Sequence, residues 1–296
     1  MDRVNLSSSL EFSRIIYGMW RLADDADTSI KHIDAKINSC LDQGITTFDQ
    51  AAVYGLYTSE SLFGQTLKAN PSLRNEMEIV TKCGIVVPSN KYPNIQVAHY
   101  DTSREHIIAS VDASLTNMST DYIDLLLVHR PDPFMDHRET GRTLDDIVSS
   151  GKVRAVGVSN FKPWDWNLLQ SVMKTQLVTN QIELSLAFHE PFTNGDLAFH
   201  QQNSTHVMAW SPLGGGSLMK NTGELGLVMD KVAAYHNIDR AAIAVAWILA
   251  HPANIIPVMG TNNLDRITKI SDALKVKMDR DTWFLLYTAA LGRDIP

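Results

Sequence analysis

Short runs of apolar and β-branched residues alternate along the chain with longer segments in which apolar residues recur every three or four positions. The short runs lie at residues 14–20, 46–50, 78–84, 122–129, 153–159, 177–183, 205–211 and 254–260. Several are apolar at successive positions, which is typical of parallel strands buried between an inner core and an outer layer of helices. The pattern therefore predicts eight strands.

The longer segments have the spacing of amphipathic helices. Residues 29–41, for example, carry apolar side chains at Ile30, Ile33, Ile37 and Leu41, so these side chains share one helical face. Helices are also predicted over residues 103–119, from about 239 to 249, over 262–272 and over 280–291. Each predicted strand except the last thus precedes a helix that can cover it, and the last is followed by two.

Eight strand-then-helix units predict an α/β protein with a closed (β/α)8 TIM barrel, formed as a single domain by residues 1–296. A doubly wound open sheet is the alternative. It is disfavoured because the first turn, YGMWRLADD, lacks the Gly-x-Gly-x-x-Gly pattern. The Pro-containing segment 86–101 interrupts the alternation, and we expect it to be a loop that binds a ligand or covers a site.

Composition and charge narrow the range of partners. The chain is 44% hydrophobic and 20% charged, with a net charge of −7. No run of Lys or Arg offers a path for phosphates, so neither nucleic acid nor an anionic membrane is expected as a partner. The N-terminus has no apolar signal segment and no apolar run is long enough to cross a bilayer, so we expect a cytoplasmic protein.

Cysteine and histidine patterns argue against other chemistries. Cys40 and Cys83 are too few for a disulfide framework. Strand alternation places Cys83 in the helix layer, where we expect an inert thiol. The ten histidines show no spacing typical of metal ligands, and no metal is expected.

Titratable residues end three consecutive predicted strands. They are Asp49, Lys82 and His129, and Tyr54 follows closely after Asp49. Because barrel enzymes carry their sites at the carboxyl ends of the strands, and adjacent strands lie about 4.8 Å apart, we expect these side chains to converge. A nearby ammonium favours the phenolate, so Lys82 is predicted to lower the pKa of Tyr54. The group is a candidate acid–base device.

The sequence around these residues resembles the aldo-keto reductase superfamily. The matching segments are FDQAAVYG (48–55), VTKCG (80–84), LLLVHRPDP (125–133), VRAVGVSNF (153–161), NQIELS (180–185), AWSPLGGG (209–216) and IPVMGTNNLDRI (256–267). They cover essentially the whole chain in the family's order. Within the superfamily, the chain is most similar to a bacterial oxidoreductase subgroup with HRPDP after the fourth strand.

The resemblance implies a reductase of aldehydes and ketones that uses a nicotinamide cofactor. Tyr54 would protonate the carbonyl oxygen, Lys82 paired with Asp49 would lower the Tyr54 pKa, and His129 would orient the carbonyl. Cofactor contacts are implied for Ser159, Asn160 and Gln181 at the carboxamide, Trp210 at the nicotinamide face, and the turn 211–216, including Ser211, Leu213 and Gly215, at the pyrophosphate. Trp20 is a candidate for the substrate pocket.

One departure from the family concerns the choice between NADPH and NADH. Many members that prefer NADPH carry Lys-Ser after the eighth strand, where this chain has Gly260 and Thr261, while the following Arg is retained as Arg266. Thr261, Arg266 and the amides at the start of the helix predicted over 262–272 can still bind a 2′-phosphate. We therefore predict NADPH, with NADH possible.

Two other functions fit part of the pattern. Lys82 could be the Schiff-base nucleophile of an aldolase, although the cofactor segments would then be unexplained. Alternatively, the chain could bind nicotinamide chiefly as a regulatory or partner subunit. The expected ligand is a small carbonyl compound, and the expected state is a monomer or a weak homo-oligomer.

Overall fold

Eight parallel strands close into a barrel in a computed structural model that describes residues 1–295. The strands of the chain are β1 (Arg3–Ser7), β2 (Leu10–Ser13), β3 (Ile16–Gly18), β4 (Thr47–Asp49), β5 (Glu78–Cys83), β6 (Ile85–Val86), β7 (His99–Tyr100), β8 (Ile123–Val128), β9 (Val153–Ser159), β10 (Leu177–Glu183), β11 (His206–Trp210) and β12 (Ile256–Met259). The barrel runs β3-β4-β5-β8-β9-β10-β11-β12, and β12 pairs with β3 to close it. All eight predicted strands and the predicted (β/α)8 barrel are confirmed. Pro296, the last residue of the predicted domain, lies outside the described residues.

Helices surround the barrel. They are α1 (Ile30–Leu41), α2 (Ser59–Ala69), α3 (Arg104–Asn117), α4 (His137–Ser149), α5 (Pro163–Gln170), α6 (Asp196–Gln202), α7 (Ser217–Lys220), α8 (Glu224–His236), α9 (Arg240–Leu249), α10 (Leu264–Ile267) and α11 (Arg280–Leu291). Helices α1, α3 and α9 begin where their N-caps dictate: the side chains of Ser29, Ser103 and Asp239 each accept a hydrogen bond from a backbone N–H in the first turn.

The prediction of one helix over residues 262–272 is wrong. Only Leu264–Ile267 is α-helical, and a separate 3-10 segment follows at Ile270–Lys275. Both Ile267 and Ile270 are buried. A spacing of three residues fits either helix type, because a 3-10 helix has three residues per turn. The apolar pattern therefore could not distinguish one long helix from two short ones.

The N-terminal hairpin β1–β2 closes the end of the barrel at which the strands begin. Its side chains Val4, Leu10 and Phe12 join a buried cluster with inward-facing strand residues such as Leu125 and Met208. On the rim, Arg3 bonds to Thr46 and Glu78, next to the starts of β4 and β5. The opposite end, where the strands finish, is left for a site.

Two features outside the barrel complete the fold. Residues 86–101 were predicted as a loop, and its ends instead pair as the short antiparallel strands β6 and β7. Helix α11 spans Arg280–Leu291, the range predicted for it from the sequence. It is joined to α9 by Trp247 and Trp283, whose rings stack with centroids 4.9 Å apart. Within residues 1–295, no helix has both the length and the apolar character needed to cross a bilayer.

Candidate active site

Four side chains predicted from the sequence meet at the carboxyl end of the barrel. Asp49 is the last residue of β4, Lys82 lies near the end of β5, and His129 directly follows β8. The backbone N–H of His129 still donates to Cys83 O across 2.9 Å, which extends the pairing of these strands by one residue. Tyr54 begins the 3-10 turn Tyr54–Leu56 that follows β4. The barrel thus fixes the backbones of three of the four residues.

Lys82 is the centre of the group. Its Nζ donates to Asp49 Oδ1 at 2.8 Å and Oδ2 at 2.7 Å, to Gln50 O at 2.8 Å and to Tyr54 Oη at 3.1 Å. Lys82 is 1% exposed and Asp49 2%. A buried ion pair is tolerated only where both charges are fully hydrogen-bonded, and Gln181 adds a further bond by donating Nε2–H to Asp49 Oδ1 at 2.8 Å. The cation is therefore held in one position beneath the Tyr54 hydroxyl.

The pKa of Tyr54 differs from the prediction, whereas Lys82 is charged as expected. Burial raises the pKa of the Tyr54 phenol, and the charge of Lys82, which lowers it, offsets only part of that rise. The predicted net lowering is therefore wrong, because the desolvation of a phenolate outweighs one ammonium that is itself neutralised by Asp49. Burial acts to lower the pKa of Lys82, but Asp49 and Tyr54 raise it above its ordinary value, so Lys82 remains an ammonium.

His129 lies beside Tyr54 in an edge-on arrangement with ring centroids 5.9 Å apart. Burial, followed by the charges of Lys82 and Arg130, holds the pKa of His129 well below its ordinary value. The imidazole is therefore neutral at neutral pH. A neutral imidazole can donate one N–H to a carbonyl oxygen without competing for the proton that Tyr54 carries.

A second group of predicted residues forms a continuous hydrogen-bonded chain beside the first. Trp210 Nε1 donates to Asn160 Oδ1 at 2.9 Å, Asn160 Nδ2 donates to Ser159 Oγ at 2.8 Å, and Ser159 Oγ donates to Gln181 O at 2.8 Å. Gln181 also bonds to Asp49. The two groups predicted separately from the sequence are therefore one connected network.

An irregularity in β10 gives Gln181 this role. The pairing of β10 with β9 shifts between Leu177 and Asn180, which breaks the strict alternation of side chains. The Asn180 amide bonds to Phe161 O and to His200 in the helix layer, whereas Gln181 bonds to Asp49 in the barrel. The bulge thus helps to place an amide in the site.

The turn after β11 presents bare backbone. Ser211 has a φ of 52°, and Gly214, Gly215 and Gly216 also have positive φ. No atom lies within 4 Å of the position that a Cβ would take at Gly215 or Gly216. An open, glycine-lined turn of this kind allows close approach of a phosphate to backbone N–H groups. The residues present therefore fit the pyrophosphate of a dinucleotide.

The loop between β12 and α10, to which the sequence assigns the 2′-phosphate, contains two internal hydrogen bonds. Asn263 Oδ1 accepts from Arg266 N at 3.0 Å, and Thr261 Oγ1 accepts from Asn263 N at 3.3 Å, so groups expected to bind a phosphate already bond to one another. Gly260 and Arg266 are exposed. An open pocket of about 470 Å³ adjoins this loop, lined by Asp25, His32, Asn262, Asn263, Leu264 and Asp265.

The match to known proteins decides the family. A model described as the aldo/keto reductase family matches residues 14–286, nearly the whole chain. The chain belongs to the aldo/keto reductase family. The resemblance drawn from the sequence motifs is confirmed, and the aldo/keto reductases are a family of oxidoreductases.

Relatives support this assignment across the full length. A 6-dehydroglucose reductase of Agrobacterium fabrum is 57% identical over 296 residues, covering 100% of both chains. A 6-dehydroglucose reductase of Novosphingobium aromaticivorans is 37% identical and covers 98% of this chain and 95% of that protein. The solved structure of a glycerol dehydrogenase from Gluconobacter oxydans superposes with a TM-score of 0.87 at 22% identity, covering 100% of this chain and 98% of that one. The last likeness shows the fold alone.

Other residues of this aldo/keto reductase occupy the rim or the helix layer. Trp20, the candidate substrate contact, is 57% exposed, with the Arg21 guanidinium 5.1 Å from its ring centroid. Cys83 packs in the helix layer as expected, and burial raises the pKa of its thiol to about 12. In the part of the chain that the structure describes, no cluster of three or more His, Cys, Asp or Glu side chains could hold a metal.

The sequence motifs did not identify every residue that supports the site. Gln50 supplies a carbonyl to Lys82, and the Arg130 guanidinium lies 5.7 Å from the Trp210 ring centroid. Asn262 joins two elements, because it donates to Arg21 O at 2.6 Å and accepts from the buried Lys36 at 3.1 Å. Lys36 also pairs with Asp25. The sequence could have identified Lys36, because it lies on the apolar face of α1. A lysine buried there is expected to have a charged or polar partner.

Proposed function

We propose that this protein is an NADPH-dependent reductase of aldehydes and ketones in which Tyr54 donates the proton to the carbonyl oxygen. The observation that carries this proposal is the position of the Tyr54 hydroxyl, 3.1 Å from a lysine ammonium that bonds to both oxygens of Asp49. When bound, NADPH would supply the hydride that adds to the carbonyl carbon. The carbonyl π electrons and the Tyr54 proton then complete the O–H bond of the alcohol.

The ionisation states suit the direction of that proton transfer. Burial keeps Tyr54 protonated before the reaction, so the acid is present to give its proton away. As the phenolate forms, Lys82 stabilises the new negative charge through an existing hydrogen bond. Neutral His129 donates to the carbonyl oxygen and fixes its orientation over Tyr54. Solvent returns the proton to Tyr54 after the alcohol leaves.

The same network supplies residues for the cofactor. We assign the carboxamide to Ser159, Asn160 and Gln181, and the nicotinamide face to the Trp210 ring, which its bond to Asn160 holds in place. The pyrophosphate is assigned to the turn 211–216, including Ser211, Leu213 and Gly215. The 2′-phosphate is assigned to Gly260, Thr261 and Arg266, where the guanidinium provides the charge.

The relatives suggest a substrate class. Both named 6-dehydroglucose reductases cover the chain almost completely, and 6-dehydroglucose is glucose with an aldehyde in place of the C6 alcohol. We infer that this protein reduces such sugar aldehydes to the corresponding primary alcohols. Trp20 is assigned to the substrate pocket, because an exposed indole beside the site can contact the apolar face of a sugar ring.

The aldolase alternative is disfavoured by the state of Lys82. A Schiff-base lysine must be a free amine when it attacks a carbonyl. Here the pKa of Lys82 is raised, chiefly by Asp49 acting against burial, and Nζ bonds to four acceptor atoms. Both its charge and its hydrogen bonds thus oppose nucleophilic attack.

The proposal is tested by following NADPH oxidation with 6-dehydroglucose and with simple aldehydes, for the wild type and for Tyr54→Phe. We expect the variant to lose a factor of about 10²–10⁴ in kcat, which is the usual contribution of a positioned general acid. Its NADPH Kd, measured by quenching of tryptophan fluorescence, should stay near the wild-type value. Full turnover by Tyr54→Phe would show that another group donates the proton.

The regulatory alternative has its own outcome. A chain that binds NADPH but turns over none of the aldehydes, with or without Tyr54, would be a nicotinamide-binding subunit rather than a reductase. The wild-type protein itself therefore decides between these two functions.

A further inference from the structure

The turn that carries Tyr54 has an unusual backbone. Gly55, Leu56 and Tyr57 have φ values of 58°, 50° and 74°, so three successive residues lie in the left-handed region. Glycine adopts this region freely, but residues with a Cβ do so at a cost in free energy. Such a conformation persists only where surrounding contacts determine it.

Tyr57 is the residue with the contacts to do so. It is 9% exposed, while its neighbour Leu56 is 65% exposed. Its hydroxyl accepts from Val87 N at 2.9 Å and lies 3.5 Å from Ile85 O, to which it can donate. Both partners belong to the base of the segment that follows β5. The side chain thus joins the Tyr54 turn to a separate part of the chain.

The ring of Tyr57 makes a second set of contacts with the same segment. Tyr92 packs edge-on against it with centroids 5.1 Å apart, and Lys91 Nζ lies 4.9 Å from the Tyr57 centroid. A cation over an aromatic face and an edge-to-face pair are both attractive. Residues 85–92 therefore hold Tyr57 through its hydroxyl and its ring together.

Backbone hydrogen bonds within the turn connect Tyr57 to Tyr54. Tyr54 O accepts from Tyr57 N at 3.1 Å and from Thr58 N at 3.2 Å. On the other side, Gly55 packs so closely that a Cβ there would lie 2.5 Å from the Cβ of Ala23. Tyr54 is thereby fixed between the loop after β3 and the side chain of Tyr57, although it lies beyond the end of β4.

We propose that Tyr57 is a positioning residue that sets the distance between the Tyr54 hydroxyl and Lys82, and that the segment 85–92 acts on catalysis through it. The inference rests on the proposed role of Tyr54 as proton donor. Asp49, Lys82 and His129 are placed by the barrel, whereas Tyr54 depends on the Tyr57 contacts.

The first test uses Tyr57→Asn and Tyr57→Phe. Asparagine tolerates positive φ, so Tyr57→Asn removes the contacts while leaving the backbone conformation accessible, and thermal unfolding checks that both variants fold. We expect kcat to fall about 10–100-fold in Tyr57→Asn, since a misplacement of about 1 Å can cost that much, with an unchanged NADPH Kd. Tyr57→Phe keeps the ring contacts and should lose less than Tyr57→Asn.

The pH profile separates positioning from a general structural role. Burial raises the pKa of Tyr54 and Lys82 lowers it, so a displaced Tyr54 changes that balance and the alkaline limb of the kcat profile should shift in Tyr57→Asn. The matched control is Tyr235→Asn, which changes an 86% exposed tyrosine on α8 and should leave kcat and its pH profile unchanged.

A double-mutant cycle tests whether the segment acts through Tyr57. We expect Tyr92→Ala to lower kcat in the wild-type background and to have no further effect in Tyr57→Asn. A wild-type kcat and pH profile in a folded Tyr57→Asn would overturn the proposal, and so would fully additive effects in the cycle. Because Tyr54→Phe tests the proton donor itself, failure of either proposal can be distinguished from failure of the other.

Discussion

The two ends of the proposed cofactor cleft are organised in opposite ways. At the catalytic end, Lys82 and Asp49 are buried and bonded to each other and to Gln181. At the end assigned to the 2′-phosphate, Gly260 and Arg266 are exposed, and within the described residues Arg266 has no ion-pair partner. Groups on barrel strands are already paired with one another, whereas the exposed Arg266 side chain beside the loop is open to a ligand. We infer that the catalytic end is preorganised for rate and the other end determines cofactor choice.

The largest effect is expected at the buried pair. Lys82→Met should destabilise the protein by about 3–5 kcal/mol, because Asp49 is left as an uncompensated buried charge, and should also abolish detectable reduction. Chemical denaturation and NADPH oxidation measure the two effects. The matched control, Lys269→Met, changes an exposed lysine and should alter stability by no more than about 0.5 kcal/mol.

A second substitution sharpens this result. In Lys82→Met/Asp49→Leu the unpaired charge is gone, so part of the lost stability should return while activity stays absent. If Lys82→Met alone proved as stable as the wild type, the catalytic end would not be the rigid, charge-paired region described above.

A smaller effect, confined to one cofactor, is expected at the phosphate end. Arg266→Ala should lower kcat/KM for NADPH about tenfold and leave that for NADH nearly unchanged, because a charge-assisted hydrogen bond contributes about 1.5–3 kcal/mol at best and less at an exposed site. Steady-state kinetics with both cofactors provide the ratio. Lys269→Ala is the control for loss of a nearby exposed positive charge, and an unchanged NADPH/NADH ratio in Arg266→Ala would exclude the phosphate role.

The smallest expected change concerns pH and catalysis. Burial and the charges of Lys82 and Arg130 hold the pKa of His129 well below its ordinary value, so His129 should contribute no inflection to the kcat profile between about pH 6 and 8. An inflection near pH 6.5 that disappeared in His129→Asn would mean that the imidazole titrates in the working range.

The same depressed pKa has a consequence for stability with a definite sign. Below about pH 6.5 the unfolded chain takes up a proton at His129 that the folded protein does not, so the free energy of unfolding falls as the pH is lowered. His129→Asn removes this contribution. Thermal unfolding at about pH 7.5 and 5.5 should therefore show a smaller acid-induced drop in Tm for the variant than for the wild type.

The barrel and the convergence of Asp49, Lys82 and His129 could be predicted from the sequence. Both follow from the spacing of apolar residues and from the parallel order of the strands. Apolar runs identify buried parallel strands, and the ends of such strands meet at one rim. The net pKa of Tyr54 could not be predicted. The sequence identifies its charged neighbours, but the depth at which the hydroxyl lies decides whether burial or Lys82 dominates.

Features that depend on an irregular backbone could not be predicted from the sequence either. The register shift in β10 leaves no signature in alternation, although it determines which amide reaches Asp49. Likewise, the positive φ at Tyr57 follows from contacts with residues far along the chain. The motif located Tyr54 in the sequence, but the contacts of Tyr57 with Val87 and Tyr92 became visible only in three dimensions.

The hairpin β1–β2 covers one end of the packed barrel, and the candidate site lies at the other end. Phe12, which is fully buried, and Leu10 fill the end opposite the site, so among residues 1–295 the hairpin closes that end of the barrel. Substrate and product must share one entrance. Under the proposed function, the alcohol has to leave before the next aldehyde can approach Tyr54, and accumulated product is expected to slow the arrival of fresh substrate.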